Sequence, residues 1–207
     1  YNIMVSRGGV LSWESAQYNI GGYGLNYDSI FFKIFPNELI MLLISATSYL
    51  TQGYCGLSMC LTLPWKPTFG IGFSRALTEL SSEYITDFFE VSSYQYRVEE
   101  MYGWDADIHW HSMYSWFAND ISFIGVILIM FIIGFVFYKV CDDCLYTDNP
   151  FAQVLLYFLF ILFFFIPCNN QIFQSISTMF PFILTIILWL YYRGSLNWCK
   201  KLLKRKS

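Results

Sequence analysis

Charge is scarce in this 207-residue chain: only 13% of its residues are Asp, Glu, Lys or Arg, against roughly a quarter in an ordinary soluble domain. Histidine is scarcer still, with two copies, so any imidazole chemistry in the chain rests on His109 or His111. No Walker lysine, serine nucleophile elbow or HExxH run is present, which removes P-loop nucleotide hydrolysis, the α/β-hydrolase route and zincin chemistry. The stretch Thr68-Phe-Gly-Ile-Gly-Phe-Ser74 is glycine-rich but lacks the strand–turn–helix setting of a nucleotide fingerprint. Six cysteines do not make a disulfide framework, because most lie in or beside apolar segments, where Cys behaves as a small hydrophobe. Cys141-Asp-Asp-Cys144 has the spacing of a metal or redox pair. A structural zinc wants four ligands and no second pair is near, so this stretch reads as a juxtamembrane turn. The opening residues carry no basic n-region and no cleavage site, so they are not a signal peptide; the chain is expected to be the C-terminal part of a longer polytopic protein.

What fills the space left by charge is apolar and aromatic: 56% hydrophobic residues and 21% Phe, Tyr or Trp. Twenty-one Phe and sixteen Tyr exceed what one soluble core of this length accommodates, and the bilayer is the expected partner. A helix needs ~20 apolar residues to cross its ~30 Å hydrocarbon core. The predicted fold is an all-α polytopic membrane protein with four transmembrane helices, at 38–64, 121–140, 151–168 and 178–193, and one long external loop at 65–120. The first span is rich in small and hydroxyl residues, among them Ser45, Ser48, Gly53 and Gly56, and is expected to be buried among other helices. Short loops follow at 141–150 and 169–177. Residues 1–37 form a connecting loop, with Asn37 as a helix cap, and 194–207 form a basic tail. Lys200, Lys201, Lys204, Arg205 and Lys206 put that tail on the cytoplasmic side. Alternation then places 65–120 and 169–177 outside, and 1–37 and 141–150 inside.

The external loop carries the candidate chemistry. Trp104-Asp-Ala-Asp-Ile-His-Trp-His111 alternates polar and apolar residues. If extended, it sets Asp105, Asp107, His109 and His111 on one face. That face could bind a divalent cation or offer a general base beside a proton shuttle; the plainer reading is a solvated hairpin edge resting on the membrane surface. Arg75 and Arg97 are the arginines of this acidic loop, suited to bidentate phosphate binding or simply to pairing with nearby carboxylates. Asp120 stands at the start of its span, either as a helix N-terminal charge or as an acid/base group at the bilayer surface. Asn169, Asn170, Gln171 and Gln174 form an uncharged amide cluster in the second external loop. Amides suit sugar hydroxyls, and Trp110 or Trp116 could stack on a sugar ring, although amides also end helices cheaply at an interface.

Ser48-Tyr-Leu-Thr-Gln-Gly-Tyr-Cys-Gly-Leu-Ser58, Pro67-Thr-Phe-Gly-Ile-Gly-Phe-Ser74, Ser115-Trp-Phe-Ala-Asn-Asp-Ile-Ser-Phe-Ile-Gly125, Asn149-Pro-Phe-Ala152 and Pro167-Cys-Asn-Asn-Gln171 together resemble the oligosaccharide repeat-unit (O-antigen, Wzy-type) polymerases, over about Ser48 to Trp189. The resemblance implies a multi-pass glycosyltransferase of the bacterial inner membrane with a cytoplasmic C-terminus. It would join undecaprenyl-diphosphate-linked repeat units at the periplasmic face without metal or other cofactor. A chain-length regulator and a flippase are implied as partners beside the lipid bilayer, and no nucleic acid. Mapped here, Arg75 and Arg97 would contact the diphosphate, and Asp120, His109 or His111 would be the base. Trp110, Trp116, Asn169 and Asn170 would hold sugar. This segment alone would be inactive if essential arginines lie elsewhere in the protein. The rival readings are a flippase or transporter of lipid-linked sugars, a non-catalytic membrane assembly partner, and a metal-dependent ectoenzyme.

Overall fold

The computed structural model of the chain describes residues 26–205, with side chains as far as residue 194. Most of the expected 1–37 loop falls outside the described residues. Within them the fold is helical, without a β-strand: α1 (Ile30–Ile34), α2 (Asn37–Cys60), α3 (Arg75–Tyr84), α4 (Phe88–Ser92), α5 (Tyr94–Tyr102), α6 (Met113–Tyr146), α7 (Pro150–Phe165) and α8 (Ile176–Arg205). Two of these are long and apolar enough to cross a membrane, α6 and the Ile176–Gly194 part of α8. Helix α7 is apolar but has 16 residues. Helix α2 has 24 residues, but its hydroxyls and glycines make it too polar to qualify by hydropathy.

Several boundaries differ from those the sequence predicts. Helix α6 begins at Met113 rather than at 121 and continues to Tyr146. The external loop is therefore shorter than 65–120, and the expected inner loop 141–150 shrinks to a few residues. Cys141 and Cys144 lie on the helix, not in a turn, because nothing in Cys141-Asp-Asp-Cys144 breaks helical geometry and the first strong stop is Asn149-Pro150. At about 1.5 Å per residue, 34 residues span ~51 Å, well beyond the hydrocarbon thickness, so both polar ends of α6 project from its apolar middle. Helix α8 runs on to Arg205, so the basic tail is a helical continuation, not a separate segment. Pro36, not Asn37, is the N-cap of α2. Asn149 caps α7, its side chain accepting from Phe151 N, with Pro150 at the first helical position, where its missing N–H costs nothing.

The packing runs α6 on α7, α7 on α8 and α2 on α5. Helix α7 turns Ala152, Leu155, Leu159 and Leu162 inward, a stripe at three- and four-residue spacing. Phe137 of α6 meets Phe160 and Phe163 edge-on. The outward surface is apolar instead of charged. Ile124, Ile127, Phe131 and Phe135 of α6, and Phe180, Ile187 and Tyr191 of α8, are exposed. Only 6% of the most apolar stretch of α6 is buried. A core helix of a soluble protein would be mostly covered, and an uncovered apolar surface of this extent fits a membrane or a protein partner.

Helix α2 is arranged with its polar side in. Ser45, Ser48, Gln52, Gly53, Gly56 and Cys60 are buried while Leu39, Leu43, Leu50 and Tyr54 are exposed, the pattern by which membrane helices pack through small residues. The expectation that α2 is buried among helices holds for this face only. The close approach occurs at Gly53, where a Cβ would overlap the main-chain carbonyls of Pro167 and Cys168. Helix α6 carries a break at Ser122, whose φ of 62° and ψ of 169° belong to a region that essentially only glycine visits, at about 1–3 kcal/mol. It falls two residues after Asp120.

Gly53→Ala should therefore lower the melting temperature of the purified protein, because the obstructing atoms are backbone. Gly134→Ala, in open space on α6, should be neutral or stabilising by up to about 1 kcal/mol. Equal melting points for the two variants would contradict the packing of α2 on the 167–168 turn.

Candidate functional site

The glycine-rich stretch before α3 wraps an anion, and the protein supplies that anion itself. The carboxylate of Asp120 accepts from the Thr68 hydroxyl, from Gly70 N at 2.7 Å and Gly72 N at 3.3 Å on Oδ1, and from Phe73 N at 2.9 Å on Oδ2. Gly70 has a φ of 86°, the left-handed conformation that turns successive N–H groups to one side and forms an anion-binding concavity. Asn119, fully buried, completes the lock. Its Nδ2 donates to Gly72 O and Gln95 Oε1, and its Oδ1 accepts from Tyr94 N. Gln95 in turn donates to Ser115. Both oxygens of Asp120 are thus occupied by loop donors, and of its two expected roles the geometry shows a structural one: it anchors the loop.

The loop so fixed faces a cavity in which seven of the nine expected site residues converge. Arg75, His109, Trp110, His111, Trp116, Asn169 and Asn170 all line it, while Asp120 and Arg97 do not. The space open to the centre of a water molecule is about 40 Å³. At roughly 10–15 Å³ per water on this measure, that is room for about three waters, or for one edge of a sugar, not a whole ring. The cavity lies where α6 starts and α7 ends. Met113 N donates to Ile166 O and Ser112 N to Gly53 O, so three helices meet at its floor.

Residues 104–111 are not an extended strand. They form a turn in which His109 N donates to Asp105 O, and Asp105 accepts from Asp107 N and Ile108 N on one side-chain oxygen. Those two backbone donors hold its carboxyl below the usual carboxylate range. An aspartate satisfying its own turn outcompetes the period-2 pattern. The predicted Asp-Asp-His-His face is split accordingly. Ile108 points outward, His109 and His111 are buried, and Asp107 is exposed. Among the described residues no cluster of three His, Cys, Asp or Glu side chains is placed to hold a metal ion.

Both imidazoles are inside. The His109 ring stacks on Trp104 at 3.8 Å between centroids, with 16° between the planes. His111 is 2% exposed, and neither of its nitrogens has a hydrogen-bond partner in the protein. It rests against Gly56, where a Cβ would stand 3.0 Å from His111 Nδ1. Burial, reinforced by His109 and Arg75, pushes the His111 pKa down to about 3; burial also lowers that of His109. In both rings burial favours the neutral form.

Arg75 is held by two carboxylates, its Nε donating to Glu79 at 2.6 Å and its Nη2 to Asp107 at 2.7 Å. Arg97 sits elsewhere, 9% exposed, with its guanidinium over the Tyr94 ring and Nη1 without a hydrogen-bond partner. The expected pairing of Arg75 with Arg97 around one diphosphate is therefore not formed. The two tryptophans act as walls, since Trp110 packs on Tyr49 at 3.8 Å and edge-on to Phe165, and Trp116 is 5% exposed. Asn170 Nδ2 donates to Phe73 O at 2.7 Å, and Asn169 Nδ2 to Gln171 Oε1 at 3.2 Å. The side-chain oxygens of both asparagines are buried and without a protein partner. Thr68, Gln95 and Asn119, which build the lock behind the cavity, are the residues the sequence reading missed. Their one visible signal was a glycine-rich loop with no phosphate motif to explain it.

Set against known protein families, curated protein sequences and solved structures, the chain matches none of them.

Two outcomes follow from this geometry. Asp120→Asn should cost roughly 2–5 kcal/mol of stability, since an amide that keeps one oxygen must turn its NH₂ toward a backbone N–H. A chemical-denaturation midpoint equal to that of the wild type would refute the anchoring role. For His111, the ordinary value is 6.5 and the folded value about 3. Between these the unfolded chain binds a proton that the folded chain excludes, so stability present above about pH 6.5 drains as pH falls. Lowering the pH from about 7 to about 5 should depress the melting temperature, and His111→Gln should reduce that dependence.

Proposed function

We propose that the chain contributes four spans to a larger polytopic membrane protein that polymerises lipid-linked oligosaccharide repeat units, with the α6–α7 cavity as its substrate site. Helices α6 and α8 supply two spans; α2, with its small-residue inner face, and α7, extended by the 166–168 turn, supply the others. In this reading the basic tail lies on the cytoplasmic side and the cavity opens at the outer, periplasmic face of the bacterial inner membrane.

The observation that carries this reading is the convergence in one cavity of His109, His111, Asn169, Asn170 and Arg75, drawn from loops far apart in the sequence. Buried polar groups are nearly always paired. Both His111 nitrogens and the side-chain oxygens of Asn169 and Asn170 are buried without a hydrogen-bond partner, and their concentration beside the apolar helices fits a site made to receive a polar ligand. A neutral imidazole there accepts a hydrogen bond from a sugar hydroxyl and orients it. Of the cavity residues, Trp116, Asn169 and Asn170 lie within the motifs that resemble repeat-unit polymerases, and Arg75 directly follows the Pro67–Ser74 motif. Against it stands a reading as a non-catalytic assembly partner, favoured by one observation: Arg75 is already neutralised by Glu79 and Asp107.

Expression of the full gene product in a bacterium that makes the lipid-linked unit but lacks its own polymerase separates the two. The wild type should produce a lipopolysaccharide ladder on a gel. His111→Ala and Asn170→Ala, at equal membrane abundance, should collapse it to a single repeat unit. A wild type that yields no ladder ends the polymerase reading, and full ladders from both variants take the cavity out of the chemistry.

A further inference from the structure

The cavity has a polarity, and it is the wrong one for phosphate. Asn170 cannot turn its amide over: with Nδ2 donating to Phe73 O at 2.7 Å, the flipped side chain would set Oδ1 against that carbonyl oxygen. Its oxygen, an acceptor, is therefore fixed on the side left without a partner. The Phe73 carbonyl is itself held in place, because Phe73 N is bound to Asp120. The Asn169 oxygen is likewise buried and unpartnered, with its NH₂ directed to Gln171. His111, uncharged in its buried position, offers one ring nitrogen as an acceptor and one as a donor. The cation of the site is already neutralised, as Arg75 is paired with Asp107 of the cavity lining and with Glu79 outside it. Anions are stabilised by donors and positive charge, and this cavity presents buried amide oxygens beside an arginine already paired with carboxylates.

We propose that the cavity is a hydroxyl-donor subsite that takes the polyol edge of a neutral sugar and excludes the diphosphate. This rests on reading the cavity as a substrate site and narrows it to the sugar acceptor, so that Arg75 shapes the rim instead of gripping phosphate. Two adjacent hydroxyls donate to the side-chain oxygens of Asn169 and Asn170, and a third donates to the bare nitrogen of His111. The volume admits that edge alone, leaving the rest of the sugar outside at the membrane surface. Asp120 is then a positioning residue, acting through the Phe73 carbonyl on Asn170.

The test is direct binding, with no polymerisation required. The full protein in lipid nanodiscs is titrated with the methyl glycosides of glucose, galactose, mannose, rhamnose and N-acetylglucosamine, and separately with sodium pyrophosphate and ammonium chloride. Tryptophan fluorescence reports binding, since Trp110 and Trp116 line the cavity, and titration to about 100 mM covers the millimolar affinities of a single weak subsite. The expected result is a saturable change with at least one glycoside, weakened roughly tenfold or more by Asn169→Ala and by Asn170→Ala (one lost hydrogen bond at about 1.4 kcal/mol). The proposal is overturned if no glycoside saturates, or if pyrophosphate or ammonium saturates at lower concentration than every glycoside. The wild-type comparison decides this even where a variant fails to fold. Sugar binding without a ladder in the cellular assay would remove the polymerase and keep the subsite; a ladder without sugar binding would do the reverse.

Discussion

The carboxylate of Asp120 is the point through which the polar end of this molecule is assembled. A loop that turns several backbone N–H groups the same way cannot be buried unless something accepts from them, because an orphaned donor costs about as much as a lost hydrogen bond. Asp120 accepts three such N–H groups and a hydroxyl, and it does so from the first turns of the longest apolar helix. The loop is thereby fixed to α6. The carbonyl of Phe73 is fixed with the loop, and Asn170 is fixed to that carbonyl. A single charge thus orients a side chain 50 positions further along the chain.

The second constraint is solvation. Helices whose exposed faces are Ile, Leu and Phe, and whose buried faces include Ser, Gly, Gln and Thr, reverse the arrangement of a water-soluble bundle. In hydrocarbon the apolar surface gains little by being covered, and contacts between helices are made by small residues and hydrogen bonds instead. The same arrangement brings α2 against the 167–168 turn at Gly53 and against His111 at Gly56, closing one side of the cavity. At the opposite end the buried Asp143 accepts from Trp189 Nε1 at 2.8 Å and lies 3.5 Å from Arg193, which ties the two membrane-length helices together.

The cavity combines these two features. Its walls are built rigidly and its lining is left polar, with imidazoles kept neutral by burial. Rigid, desolvated acceptors discriminate among ligands by their donors and charge more than by their size.

The helical character, the two helices long and apolar enough to cross a membrane, and the rough positions of α2, α6, α7 and α8 were legible in the sequence, because long charge-free runs and proline stops act locally. So was the identity of most residues lining the cavity, since scarce polar side chains beside apolar segments have few other places to go. Helix ends were not: Met113–Asp120 reads as loop because its hydroxyls, Asn and Asp disfavour a helix, and only their tertiary partners in Gln95, Tyr94 and the 68–73 loop outweigh that preference. Nor was the alternation of Trp104–His111 a guide, since the local turn made by Asp105 overrode it. The role of Asp120 was hidden because a carboxylate at a helix start looks alike whether it faces solvent or a ring of backbone donors. Composition and periodicity determined that this chain is helical and apolar on its outside; the long-range hydrogen bonds of Asp120, Asn119 and Asn170 decided where its polar groups point, because direction is set by partners that no local pattern encodes.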